Sequence, residues 1–306
     1  MAMALNFPIV DAHQHFWDPT RHYYPWLCDE PPIPFRYGDY RAIRRRYLPD
    51  DYFADAASLP ITKTVYIETE WNPADPLGEM NYVDELRRAT GFPNVAVAQA
   101  WLDRDDCLDV LAKLSRREFV RGIRHKPRAN RQPGDGRPGG MTDVAWRRGY
   151  AQLAACGLHF ELQTPWWHLH EAAQLATDFP NTAMVLNHAG LPADRSEQGI
   201  AAWKAAITLL AQCPNVAVKI SGLGQGAGLW TVQANRAIVL TLIETFGVER
   251  CLFASNFPVD SLCASLTTIY TGFDQIVADF SERDRHAMFY DNAIRVYRID
   301  ESASST

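Results

Sequence analysis

The sequence predicts a (β/α)8 barrel, and three observations carry that prediction. Eight short apolar or β-branched runs recur along the chain, at residues 8–15, 63–68, 95–101, 120–125, 158–163, 183–188, 216–221 and 251–256, with stretches between them long enough for a crossover helix. Polar residues able to do chemistry end several of those runs, including the first, fourth, sixth and eighth, and only a closed ring of parallel strands aims them all at one rim. No glycine-rich phosphate loop follows the first run, which removes the main support for a doubly wound dinucleotide-binding sheet.

Size and composition agree. A chain of 306 residues suits a single barrel domain over 1–306, and 47% hydrophobic residues are ample for its core. The net charge of -6 comes from interspersed signs, so there is no basic field for nucleic acid, and the expected partner is a small molecule. Residues 1–8 lack a basic stretch leading into an apolar one, and no apolar run approaches the ~18 residues of a membrane span. Six scattered cysteines without a C-x-x-C pair suggest reduced thiols, hence a cytoplasmic protein. A homo-oligomer remains compatible with all of this.

In chain order, the first run ends in Asp11-Ala12-His13-Gln14-His15. Strand alternation would send Asp11, His13 and His15 to one face, into the barrel, with both imidazoles near its mouth. Such imidazoles bind a divalent ion, polarise a carbonyl or orient a water, whereas two structural histidines on one inward face would be costly to bury. Residues 17–47 form an aromatic insertion containing Tyr23, Tyr24, Trp26, Phe35, Tyr37, Tyr40 and Tyr47, expected either to cover the substrate or to make a satellite core. Glu68 and Glu70 end the second run, and Gln99 lies in the third.

The fourth run ends in Arg124 and His125, of which regular alternation lets only one reach the centre. Arg121, Arg124 and Lys126 could together hold a carboxylate. The insertion 127–140 is rich in Gly, Pro and Arg and is expected to be mobile. Glu161 and Gln163 share a face in the fifth run and should enter the barrel together as substrate contacts, with Trp166 and Trp167 beyond them as pocket candidates and His168 and His170 opening a surface helix. His188 ends the sixth run and completes a three-histidine set, Lys219 lies in the seventh, and the glycine-rich stretch 225–228 reads as a loop. Helical spacing predicts helices over 143–156, 169–179, 200–212 and 234–246.

Several blocks carry a resemblance. Val10-Asp11-Ala12-His13-Gln14-His15-Phe16-Trp17-Asp18 with Tyr24-Pro25-Trp26-Leu27, Arg121-Gly122-Ile123-Arg124-His125, Asn187-His188-Ala189-Gly190, Lys219-Ile220-Ser221-Gly222 and Phe253-Ala254-Ser255-Asn256-Phe257-Pro258-Val259 run nearly end to end. The chain resembles the amidohydrolase-related sugar lactonases, the fuconolactonase and rhamnonolactonase type, and more distantly pyrone-dicarboxylate lactonase. That resemblance implies an amidohydrolase-like TIM barrel opening a cyclic ester with activated water. It also exposes a departure: where the superfamily usually carries an aspartate as metal ligand or base, this chain has Asn256, and a carboxamide cannot accept a proton at neutral pH.

The expected catalytic set is therefore His13, His15, His188, Asn256 and Asp260, with Trp26, Arg124, His125, Glu161, Gln163 and Trp166 as substrate contacts. His188 or Asp260 would deprotonate the water, and a metal ion or a protonated imidazole would polarise the carbonyl. His13, His15 and His188 suit a zinc-type divalent ion but bring only three ligands and no evident carboxylate, so metal-bound and metal-free sites both stay open. Two other readings stand beside the lactonase: a metal-dependent decarboxylase of an aromatic or unsaturated acid, and a barrel that binds a small molecule without turnover.

Overall fold

The computed structural model describes residues 5–56, 59–225 and 230–301. Eight strands form one parallel sheet in sequence order: β1 (Ile9–Gln14), β2 (Ile61–Ile67), β3 (Val95–Gln99), β4 (Val120–Arg124), β5 (His159–Leu162), β6 (Met184–Leu186), β7 (Val216–Ile220) and β8 (Cys251–Phe253). A bridge between Gln14 and Phe257, with the His15 amide donating to the Phe257 carbonyl at 2.8 Å, brings the last strand round to the first. Each expected apolar run is thus a strand, most of them trimmed at the ends.

Helices follow the strands: α1 (Pro49–Asp55), α2 (Gly78–Thr90), α3 (Cys107–Ser115), α4 (Val144–Tyr150), α5 (Leu169–Asp178), α6 (Glu197–Ala211), α7 (Val232–Phe246) and α8 (Leu266–Ile276). Side-chain oxygens start four of them, Asp143, Ser196, Thr231 and Ser265 accepting from the amides of Trp146, Gly199, Ala234 and Thr268, which satisfies donors that the first helical turn leaves free. The helix expected over 143–156 is regular only to Tyr150, and hydrogen-bonded turns carry the chain to Gly157, where φ is +68°. Of the glycine-rich stretch 225–228, residues 226–228 lie outside the described residues.

The ring interior has two chemically different halves. The inward positions of β8, β1, β2 and β3 carry a buried hydrocarbon cluster, with Val10, Ala12, Val65, Val97 and Leu252 closed by Tyr297 and Ile299 of the C-terminal segment. From β5 to β7 they are polar: His159, Glu161, Asn187 and Lys219, all buried. Lys219 Nζ lies 2.8 Å from Glu161 Oε2, the Tyr297 hydroxyl donates to Glu161 Oε1 at 2.6 Å, and Asn187 Nδ2 donates to the same carboxylate. Gly122 in β4 makes room for this, since a Cβ there would stand 2.5 Å from His159 Nε2.

Asp11 does not share the inward face of His13 and His15, because the β1–β2 register shifts between Asp11 and Gln14 and the extra residue reverses the alternation. Asp11 turns toward the helix layer, where it accepts from Tyr52 Oη of α1 at 2.6 Å and from Ser255 Oγ at 2.5 Å. Glu161, expected to touch substrate, is completely enclosed in the ion network.

Removing one partner of such a pair strands the other charge in a dry interior. Lys219→Met is expected to lower unfolding stability by about 3–5 kcal/mol, read as a shifted midpoint in urea unfolding followed by circular dichroism. An unchanged midpoint would show that Glu161 does not need the ammonium.

Candidate active site

The three histidines do meet. The His13 ring centroid is 5.0 Å from that of His15 and 4.6 Å from that of His188, and all three rings are buried. The strand ends that carry this cluster turn sharply: Glu70 after β2, His188 after β6 and Asn256 after β8 have φ of +56°, +52° and +59°. Left-handed backbone at non-glycine residues costs on the order of 1–3 kcal/mol each and persists where surrounding contacts enforce it, which here turns side chains toward the rim. Gly222 after β7 also has positive φ, and a Cβ on it would lie 2.7 Å from His188 Nδ1 and 2.9 Å from Arg36 Nη2.

Hydrogen bonding assigns the proton on His15. Its Nδ1 lies 2.8 Å from the Ile67 carbonyl, which only accepts, so Nδ1 carries the hydrogen and Nε2 presents a lone pair. That Nε2 faces Asn256 Oδ1 at 3.4 Å, while Asn256 Nδ2 donates to Asp260 Oδ1 at 2.5 Å and so fixes the amide's orientation. Two acceptors therefore face each other at the cavity wall, an arrangement that suits a shared hydrogen donor such as water. His188 Nδ1 lies 2.9 Å from Ser221 Oγ, and its Nε2 has no partner among the described residues.

Electrostatics keep the cluster neutral. Burial pushes His15 down to about 3, helped by the Arg124 guanidinium. Burial also holds His13 and His188 well below the ordinary histidine range, with Lys219 adding to the effect at His13 and Arg36 and Arg124 at His188. Asp260 moves the other way: burial raises its carboxyl to about 6, although Arg36 stands 3.7 Å away and the Tyr37 hydroxyl donates at 3.0 Å. At the network below, burial alone would raise Glu161, but the Lys219 ammonium outweighs it and holds the carboxyl at about 2, while burial brings Lys219 to about 8.

A cavity of about 320 Å³ opens beside the cluster. His15, His188 and Asn256 line it, with Trp17, Trp26 and Phe35 of the aromatic insertion and the charged groups of Arg36, Glu68, Arg124 and Lys126. The insertion thus lines the cavity with some of its rings and packs others, Trp17, Tyr24, Tyr40 and Tyr47, into the core. Of the two candidates ending β4, Arg124 reaches the centre: its guanidinium contacts the Glu68 carboxylate, donates to the Glu68 carbonyl at 2.6 Å and reaches Gln163 Oε1 at 3.2 Å and Asn187 Oδ1 at 3.4 Å.

Other candidates fall elsewhere. His125 leaves the central cavity for a neighbouring one, because alternation turns it away from Arg124 and its Nδ1 accepts from the Leu102 amide at 3.0 Å. Trp166 packs partly buried against the outer core and Trp167, outside the cavity lining. Asp260 lies behind Asn256 rather than on the wall. Arg121 lies outside the cavity, so the expected basic trio is not assembled, and Lys126 is paired with Glu70. In the 127–140 insertion, Asn130 is tied to His168, its amide donating to Nε2 at 3.0 Å. Sequence reasoning missed Arg36; its position beside Phe35 in the expected cover was the available signal.

As they stand, these residues do not fit the zinc-type ion expected of His13, His15 and His188. Among the described residues no three His, Cys, Asp or Glu side chains stand where one ion could take all of them. Lys219 Nζ lies 3.5 Å from His13 Nδ1, and an ammonium can only donate, so the His13 proton is placed on Nε2, where a ligand would need its lone pair. Arg36 and Arg124 lower the proton affinity of His188, and the nearby carboxylates Asp260 and Glu68 are each paired with one of these cations.

Comparison with known proteins agrees with the architecture. The chain belongs to the amidohydrolase family, whose model matches residues 10–299. It is 38% identical to protein y4mH of Sinorhizobium fredii over 96% of this chain and 99% of that one, and 26% identical to an L-fucono-1,5-lactonase of Burkholderia multivorans over 97% and 98%. A solved amidohydrolase of Burkholderia multivorans, crystallised with bound zinc, shares the fold at a TM-score of 0.80 and 24% identity, covering 95% of this chain and 99% of that one.

The raised Asp260 carboxyl links folding to pH. The native chain keeps this proton up to about 6 while the unfolded chain releases it near 3.8, so the stabilisation is complete below 3.8 and is lost as pH rises through about 6. Asp260→Asn should flatten that limb of a stability-against-pH curve measured by urea unfolding; a wild-type limb retained in the variant would assign it to another group.

Proposed function

We propose that this chain is a hydrolase that opens the ring ester of a small lactone, in the first instance a sugar-acid lactone. The observation that carries the reading is the facing pair of acceptors, His15 Nε2 and Asn256 Oδ1, 3.4 Å apart on the wall of a cavity that also holds His188 and Arg36. A water donating to both acceptors would have its oxygen lone pair free to attack. The family membership and the lactonases among the relatives support the same chemistry.

The chain's own groups suffice for a balanced step. Water oxygen bonds to the lactone carbonyl carbon, and an imidazole of His15 or His188 takes the water's proton. Arg36, which is only partly buried, is the cation placed to hold the developing oxyanion. The adduct then collapses, the carbon–ring-oxygen bond breaks, and the imidazolium returns the proton to the departing alkoxide, giving a hydroxy acid.

An imidazole at about 3 is a weak base, but part of that depression comes from Arg124. A negatively charged adduct beside the guanidinium groups offsets their field, so basicity rises as the reaction needs it. Asp260, behind Asn256, keeps the amide oriented and cannot itself reach the water.

A screen of sugar-acid lactones followed by acid release tests this, with carbon dioxide release from aromatic acids measured alongside. His15→Ala and His188→Ala are each expected to lower kcat/KM by about 10²–10⁴, and exhaustive chelation is expected to leave wild-type turnover in place. Full activity in both variants would overturn the site, carbon dioxide release without ring opening would overturn the reaction, and loss of activity on chelation restored by zinc would overturn the metal-free route.

A further inference from the structure

A second cavity, of about 460 Å³, adjoins the first and shares Trp26, Ile33, Glu68, Glu70 and Lys126 with it. The shared wall is fixed: Trp26 Nε1 donates to the Thr69 carbonyl at 2.8 Å, the ring stacks on Phe35, and Lys126 pairs with Glu70. Beyond that wall stand Trp71 and Trp101, with His125 and Gln99.

The polar groups there are unused. Gln99 Oε1 is buried without a hydrogen-bond partner. His125 Nδ1 accepts from the Leu102 amide, so its hydrogen sits on Nε2, a donor with no partner among the described residues. One acceptor and one donor among indole rings is a recognition set for a ring that is apolar on its faces and hydroxylated at its edge. A hydroxyl can donate to Gln99 and accept from His125, whereas a plain aryl group would leave Gln99 Oε1 unsatisfied.

We infer that the second cavity is a sugar-ring subsite, and that the substrate class is a sugar-acid lactone bearing a glycosyl substituent. The inference rests on the lactonase reading of the first cavity for the reacting ring, while the subsite itself rests on Gln99, His125 and the tryptophans. The lactone occupies the cavity beside His15 and His188, and the glycosyl ring passes Trp26 into the second.

Binding and turnover separate the two claims. In calorimetry on the full chain, cellobionate is expected to bind at least about tenfold more tightly than gluconate. Gln99→Leu and Trp101→Ala should remove that gain while leaving gluconate affinity as in the wild type. Equal affinities, or no binding of either acid, would overturn the subsite, as would a gain kept in both variants. A gain matched by phenyl-substituted gluconate and untouched by Gln99→Leu would overturn the sugar assignment. If the cellobionate preference appears but neither glucono-1,5-lactone nor cellobiono-1,5-lactone is opened, the subsite stands and the hydrolase reading fails; if the lactones are opened equally well without any binding preference, the hydrolase reading stands and the subsite fails.

Discussion

The ion pair between Lys219 and Glu161 is the interaction around which the ring is organised. Both groups are fully buried, and each is tolerable there only because of the other and of the Tyr297 and Asn187 hydrogen bonds that complete the carboxylate's shell. From this pair the electrostatics spread upward. Lys219 abuts His13, Asn187 links Glu161 to Arg124, and Arg124 is held by Glu68, so a continuous polar network runs from this pair to the cavity wall. The low proton affinity of the histidine cluster follows from burial together with the cations of that network.

The replacement of an expected carboxylate by Asn256 takes on a physical meaning in this setting. A carboxylate at that point would add a negative charge beside His15 and raise its proton affinity. The amide instead offers a neutral acceptor to the cavity and spends its donor on Asp260, whose carboxyl burial raises to about 6. Charge is displaced one layer back from the cavity wall, and the wall is left with lone pairs. That combination favours holding a polar hydrogen donor over holding a metal dication.

Two devices give the site its shape. The register shift in β1 separates Asp11 from the histidines that follow it, so one strand contributes an anchor to the helix layer and two rings to the interior. Left-handed backbone at Glu70, His188 and Asn256 then redirects three strand ends, and Gly222 leaves the space that His188 and Arg36 occupy. The aromatic insertion lines the cavity with Trp26 stacked on Phe35, and its Tyr24, Tyr40 and Tyr47 are buried in the core.

The sequence by itself determined the alternation of strands and helices, and with it the barrel and the convergence of His13, His15 and His188, because periodicity and strand-end position are local properties of the chain. Trp26, Arg124, Gln163 and Asn256, named as candidates from the sequence, all line the cavity. Tertiary structure decided what local pattern cannot encode. Asp11 left the inward face through a bulge visible only in pairing with β2, Glu161 was claimed by Lys219 and Tyr297 from distant segments, and His125 passed to a second cavity. Proton positions on His13 and His15 were likewise set by partners 206 and 52 residues away, since hydrogen bonding depends on which atoms meet in space.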